Sequence, residues 1–322
     1  MQRFSFPAPG RQVFVQAFLS DYRQRSLLAA LRDAAAAIEP SVLEQELRRT
    51  VPPKGLQLLQ GECIRAEEVF ATPTLLKSAP GVLGHYRLLL GMSQKQFYTT
   101  KTGLSRFKAM EDRQVVTAAA GELIEDLCQE LNEAMTDFLV ALPSGGLRVD
   151  IEQLPLLTLG AQADGAWRGQ IGRDATAAVF QAMISIIADH TDSEPRWTQS
   201  SVTVEKSPDR NVTVALAPDP DMVIRETING QSVYTAAIEI KGGTDYANLH
   251  NRAGEAEKSH RKARAQGAQN CWTIISLERA DMSRLRQESP TTQEWLDFEQ
   301  VVEMDGPSWE RLVAITVTAL GI

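Results

Sequence analysis

The chain has 322 residues, 43% hydrophobic and 23% charged, which is ordinary globular composition and long enough for an enlarged domain or a core with a second lobe. No continuous apolar run approaches the roughly 20 residues of a membrane span, and the N-terminal MQRFSFPAPGRQVFVQAF lacks the features of a secretory signal, so a soluble, cytoplasmic protein with no membrane partner is expected. The net charge of -8 excludes a uniformly basic nucleic-acid binder but leaves local basic clusters open, and Cys63, Cys128 and Cys271 are too scattered for a disulfide framework or a zinc site.

Residues 1–150 read as mainly helical. Ser26 to Ile38, Pro40 to Arg49 and Thr117 to Leu142 carry apolar residues at three- and four-residue spacing. Between them, Gly91 to Met110 holds Lys95, Lys101, Arg106 and Lys108 with no acidic residue, and Phe97, Tyr98 and Phe107 are interleaved. That local excess is consistent with a clamp on a DNA backbone; the bland alternative is a basic surface that contacts nothing. Residues 143–171 break into PSGG, QLPLLTLG and ADGAWRGQIG, which reads as a connection between lobes. The expected division is therefore a helical region at 1–150, for DNA clamping or dimerisation, and a core at 151–322.

The second half opens with a helix from about Asp174 to Asp189. The period then drops to two through SVTVEKS, the turn SPDR, NVTVALA and the hairpin PDPDMVIRETINGQSVYTAAIEIKGG at 218–243. A polar helix from Asn251 to about Gln266, the strand CWTIISL and two amphipathic segments, Thr291 to Glu303 and Ser308 to Leu320, complete the order. This order predicts an α/β fold of the α+β type, a mixed sheet flanked by helices behind a mainly helical N-terminal region.

The hairpin carries the chemistry. Side chains alternate along a strand, which puts Tyr234, Ala236, Ile238 and Ile240 on one face and Val233, Thr235, Ala237, Glu239 and Lys241 on the other. Met222, Ile224 and Ile228 are the core set of the preceding strand. Facing Met222 with Ile238 and Ile224 with Ala236 implies a three-residue loop, Asn229-Gly230-Gln231, and sets Asp221 opposite Glu239.

Two carboxylates that close repel unless a cation lies between them, and an all-oxygen site suits Mg²⁺. An ammonium beside them, Lys241, can neutralise charge growing on a phosphoryl oxygen or help deprotonate an attacking water. Pro-Asp followed by Glu-X-Lys at a strand end resembles the PD-(D/E)XK nucleases. The resemblance implies a restriction-endonuclease-like core in which Asp221, Glu239 and the main-chain oxygen of Ile240 hold metal and Lys241 attends the scissile phosphate. Asp219 also follows a proline and is the competing choice; Asp221 is preferred because it runs straight into the strand. The alternative for the same letters is an ion pair on a solvated strand face.

Beyond Lys241, His250 is a candidate auxiliary base, and Asn248, Asn251, Arg252 and Lys258 are candidate DNA contacts on or before a helix rich in basic residues. The stretches EIKGGTDYANLHNRAGEAEKSH and HYRLLLGMSQKQFY are similar to the XcyI-type restriction endonucleases. That resemblance implies a Mg²⁺-dependent homodimer that cuts both strands of a short palindrome in double-stranded DNA. The group is associated with the site CCCGGG, and a cognate DNA methyltransferase would be a functional rather than physical partner. Two rivals make different demands: a repair or recombination nuclease on the same core cuts by DNA structure, and a non-catalytic DNA-binding protein needs no metal.

Overall fold

A computed structural model describes residues 9–142, 147–191, 194–243, 249–278 and 280–322. The chain forms two compact units, Met1–Trp167 and Arg168–Ile322.

The first unit is helical throughout its described residues. Its core is built on α1 (Leu83–Leu89), all seven residues of which are buried, with α2 (Lys108–Arg113) and α3 (Ile124–Ala141). In α3 the buried Ile124, Leu127, Leu131, Met135 and Leu139 recur at helical spacing, as the sequence predicts. The single helix expected from Thr117 to Leu142 is in fact two: a short turn, Ala118–Gly121, precedes α3.

Phe97, Tyr98 and Phe107 belong to this core, so the aromatic residues interleaved among the four basic ones are packing residues. Beneath them lies a buried ion pair. Arg87 donates to both carboxylate oxygens of Glu111, at 2.8 and 2.6 Å, and Tyr98 donates its hydroxyl to Glu111 Oε2 at 2.7 Å. A third guanidinium nitrogen of Arg87 donates to the Met92 carbonyl.

Residues 147–171 do not form the open connection that their glycines and proline suggest. Leu147–His190 is one helix, α4, with Pro155 inside it. By length and composition it is also the one helix among the described residues that could cross a membrane. Its C-terminal part instead contributes Ala175, Val179, Phe180, Met183, Ile186 and Ile187 to the core of the second unit. Burial of that stripe outweighs the cost of the interior glycines, about 1 kcal/mol each relative to alanine.

The second unit is a seven-stranded mixed sheet in chain order: β1 (Arg196–Trp197), β2 (Ser201–Ser207), β3 (Arg210–Leu216), β4 (Met222–Ile228), β5 (Gln231–Lys241), β6 (Asn270–Ile275) and β7 (Glu294–Asp297). Strands β1 to β5 are antiparallel; β6 and β7 continue in parallel from β5, after the helices α5 (Leu249–Ala265) and α6 (Met282–Glu288). Helices α7 (Phe298–Glu303) and α8 (Pro307–Leu320) end the chain. One sheet face packs on α4 and α8 through Ile238, Ile240, Trp272, Leu312 and Leu320. On the other face Ala237 and Cys271 meet Ala263 of α5. Both faces are thus covered, and the expected architecture is the one observed.

The β4–β5 hairpin differs from expectation in an instructive way. Met222 pairs with Ile238 and Ile224 with Ala236, as the hydrophobic pattern requires. The loop is nevertheless two residues, Asn229-Gly230, both at positive φ (51° and 79°) as a type I′ turn demands. The extra residue is Thr235, bulged out between the pairs Ile224–Ala236 and Arg225–Tyr234. Its carbonyl accepts a hydrogen bond from Asn270 Nδ2 at 3.0 Å, which compensates the interrupted ladder. Because of the bulge, Tyr234 moves to the face of Ala237 and Cys271, and Ile228 lies exposed at the turn rather than in the core.

Candidate active site

Asp221 precedes β4 and Glu239 and Lys241 end β5, and the register brings them together. Asp221 Oδ2 accepts a hydrogen bond from the Ile240 N–H at 2.8 Å, which fixes its carboxylate against the neighbouring strand. Glu239 Oε1 lies 2.9 Å from Lys241 Nζ, while Glu239 Oε2 is buried with no hydrogen-bond partner.

The electrostatics follow from this packing. Burial raises the Asp221 carboxyl above the usual range, and the Ile240 N–H and Lys241 offset it only in part. Glu239 is raised by burial and then by the Asp221 charge beside it. Burial alone would lower the Lys241 ammonium, but Glu239, Glu255 and Asp221 outweigh it and hold its pKa above that of an ordinary lysine. Asp219 goes the other way: the ion pair with Lys262, then the Ser259 hydroxyl, keep it below the usual carboxylate range.

The segment after Lys241 is braced closely. A Cβ on Gly242 would lie 2.0 Å from the Cβ of Ala175 on α4, so only glycine fits there, and Gly243 has φ +92°. Arg252 of α5 donates to the carbonyls of both glycines. Arg252, a candidate DNA contact in the sequence, thus braces the backbone that follows Lys241.

The other candidates are placed as follows. His250 Nδ1 sits 2.9 Å from Glu288 Oε2 on α6, joined to that acid rather than to Glu239 or Lys241. Asn251 and Lys258 are exposed on α5, and Asn248 lies outside the described residues. Lys95, Lys101, Arg106 and Lys108 are all exposed in the first unit, Lys108 3.7 Å from Asp112.

Two residues at the site were missed in the sequence: Ser259, beside Asp219 and Glu239, and Glu255, 3.3 Å from Lys241. A signal for them exists. Ala253, Ala256 and Ala263 mark the seam of α5 that packs on the sheet, and Glu255, Ser259 and Lys262 flank it at helical spacing.

A buried acceptor without a donor, beside a second carboxylate, fits a hard cation that takes oxygen ligands and keeps several waters. Among the described residues no cluster of three or more His, Cys, Asp or Glu forms a metal site.

A mixed sheet covered by helices, with two carboxylates and a lysine at adjoining strand ends, has the restriction-endonuclease-like fold. Residues 16–322 match the XcyI restriction endonuclease family. The chain is 38% identical over 296 residues to the type II restriction enzyme XcyI of Xanthomonas campestris pv. cyanopsidis, covering 90% of this chain and 87% of that one. It is 36% identical over 327 residues to the type II restriction enzyme Cfr9I of Citrobacter freundii, covering 98% and 96%. The chain belongs to the XcyI restriction endonuclease family, whose type II enzymes are site-specific deoxyribonucleases acting on double-stranded DNA.

Proposed function

We propose that this enzyme cleaves both strands of a short palindrome by Mg²⁺-dependent phosphodiester hydrolysis at Asp221, Glu239 and Lys241. The observation that carries this is the Asp221 charge beside Glu239, whose buried Oε2 has no hydrogen-bond partner, with the Lys241 ammonium 2.9 Å from Glu239 Oε1. Asp221, Glu239 and the main-chain oxygen of Ile240 would hold the ion. When bound, the ion supplies positive charge that offsets negative charge building on the phosphoryl oxygens.

Lys241, kept an ammonium by the carboxylates around it, donates to the oxygen of the attacking water and orients it, while the proton that water loses passes to solvent. The water oxygen bonds to phosphorus in line with the bond to the 3′-oxygen, which breaks. The 3′-oxygen takes up a proton, leaving a 5′-phosphate and a 3′-hydroxyl. The fixed Asp221 and the braced Gly242-Gly243 backbone keep these groups from spreading once the site is hydrated.

The family resemblance supports CCCGGG as the site, a homodimer whose two-fold axis matches that of the palindrome, and a cognate methyltransferase that protects host DNA. Exposed Lys95, Lys101, Arg106, Lys108 and Lys258 are the proposed phosphate contacts. The test is digestion of unmethylated phage DNA with and without Mg²⁺, alongside Glu239→Ala and Lys241→Ala. Discrete, Mg²⁺-dependent fragments whose sequenced ends share one palindrome, absent with both variants, are expected. Intact phage DNA with the wild type, or cutting only of branched substrates, would overturn the proposal.

A further inference from the structure

Helix α5 meets the site along one row. Glu255, Ser259 and Lys262 are four and three residues apart and so share a face. Glu255 Oε2 lies 3.3 Å from Lys241 Nζ, Ser259 acts on Asp219 and Glu239, and Lys262 pairs with Asp219. Glu255 is the anomaly in this row. Its side chain is 62% exposed, and a carboxylate on the surface that must admit a phosphate backbone opposes binding.

Its contact explains its presence. The Lys241 ammonium sits between two carboxylates, Glu239 Oε1 on its own strand at 2.9 Å and Glu255 Oε2 on the helix at 3.3 Å. In the proposed site, on which this step rests, Glu239 also serves a divalent cation. A cation and an ammonium on one carboxylate repel each other at short range. Lysine has a flexible four-carbon stem, so an ammonium released by Glu239 and held by nothing else would sample many rotamers.

We infer that Glu255 is a positioning residue: it anchors the Lys241 ammonium from α5 while Glu239 is engaged by the cation. Glu255 bonds to no reacting atom. Its effect on rate passes through Lys241, and its cost is some repulsion of the incoming DNA. A residue in this role should affect turnover rather than affinity.

The test uses the full-length protein and a phage DNA fragment that the wild type cuts, with Glu255→Gln, Glu255→Asp and Lys241→Ala. For Glu255→Gln, kcat should fall about 10- to 100-fold, the range typical of residues that orient a catalytic group from behind. KM should stay within about twofold, and DNA affinity in Ca²⁺ should be unchanged or tighter, because a negative charge has been removed. Glu255→Asp, which keeps the charge, should cut at an intermediate rate. Melting temperatures of Lys241→Ala, Glu255→Gln and the double variant should be non-additive, since the two residues touch.

Wild-type kcat in Glu255→Gln, a loss explained by the unfolded fraction, or additive melting shifts would each overturn the inference. If Lys241→Ala itself cuts normally, the proposed site fails and the inference with it. If Lys241→Ala is silent and Glu255→Gln normal, the inference alone fails.

Discussion

In the first unit Glu111 is fully buried, yet Arg87 and Tyr98 occupy both of its oxygens; in the second, Glu239 is nearly as buried and one of its oxygens has no partner. The consequence shows in their protonation. Burial pushes both carboxyls upward, but the Arg87 guanidinium overrides it and lowers Glu111, whereas Asp221 adds to it and Glu239 stays raised. A buried ion pair whose hydrogen bonds are complete is architecture. A buried acceptor left open beside a like charge is capacity for a ligand, and the fold bears its cost in the absence of one.

The largest expected effect separates the two on activity. Glu239→Gln should lower cleavage by at least about 10³-fold, within the range for loss of a group acting on the reacting centre. Its melting temperature should hold or rise, because a charge that burial disfavours has been removed. Single-turnover cleavage beside a thermal melt checks both, and a variant that cuts normally or unfolds would break the contrast.

Arg87→Met should do the reverse. Leaving Glu111 charged and unpaired in the core costs about 3–5 kcal/mol, measurable by urea denaturation. Cutting per folded molecule should persist. Adding Glu111→Leu should restore part of the loss, since the uncompensated charge is then gone.

Acid sharpens the comparison between units. Burial holds His85 in the first unit and His260 in the second down to about 4. A group whose folded pKa lies below its unfolded value binds fewer protons when folded, so its stabilisation is complete above about 6.5 and is lost as the pH falls toward 4. For the fully buried His85 that is about 3 kcal/mol. Glu111, also lowered, contributes stability above its unfolded value that is lost as the pH falls toward its folded one. Asp221 and Glu239, both raised, run in the opposite sense and offset His260. Amide exchange at pH 7 and pH 5 should therefore show protection lost more steeply in the first unit. Equal loss in both would contradict this assignment.

What was legible in the sequence depended on whether a local pattern met competition. The strand SVTVEKS and the pairing of Met222 with Ile238 could be read because strict alternation leaves one buried face. Helix α4 could be read only in its C-terminal part, from about Asp174 to Asp189; before it Pro155 and Gly160, Gly165, Gly169 and Gly172 each argue locally for a break, while what anchors the helix is tertiary burial of Val179, Phe180 and Met183. The triad was visible as letters and register. Ser259 and Glu255 were not, because a helix rich in Lys and Arg drew attention to charge and away from its alanine seam. Strand β7, four residues long, carries too little alternation to be distinguished from the helix that follows it.

The smallest expected effect concerns Thr235, and it tests why the register survived a wrong loop. The two-residue turn and the site-end pairing disagree by one residue, and the bulge absorbs that residue before Ala236. Deleting Thr235 should let Arg225–Tyr234 run straight into Ile224–Ala236, leaving Asp221 opposite Glu239. Stability should change by about 1 kcal/mol, as one bulge and the Asn270 hydrogen bond are lost together. Cleavage should be near the wild-type rate. Deleting Ala237 instead removes a residue on the site side of the bulge, which sends Glu239 and Lys241 to the opposite face and should abolish cutting. Loss of cutting in the Thr235 deletion would mean that the bulge itself, through the added twist or the placement of Tyr234 on the face of Ala237, helps to aim the catalytic end of β5.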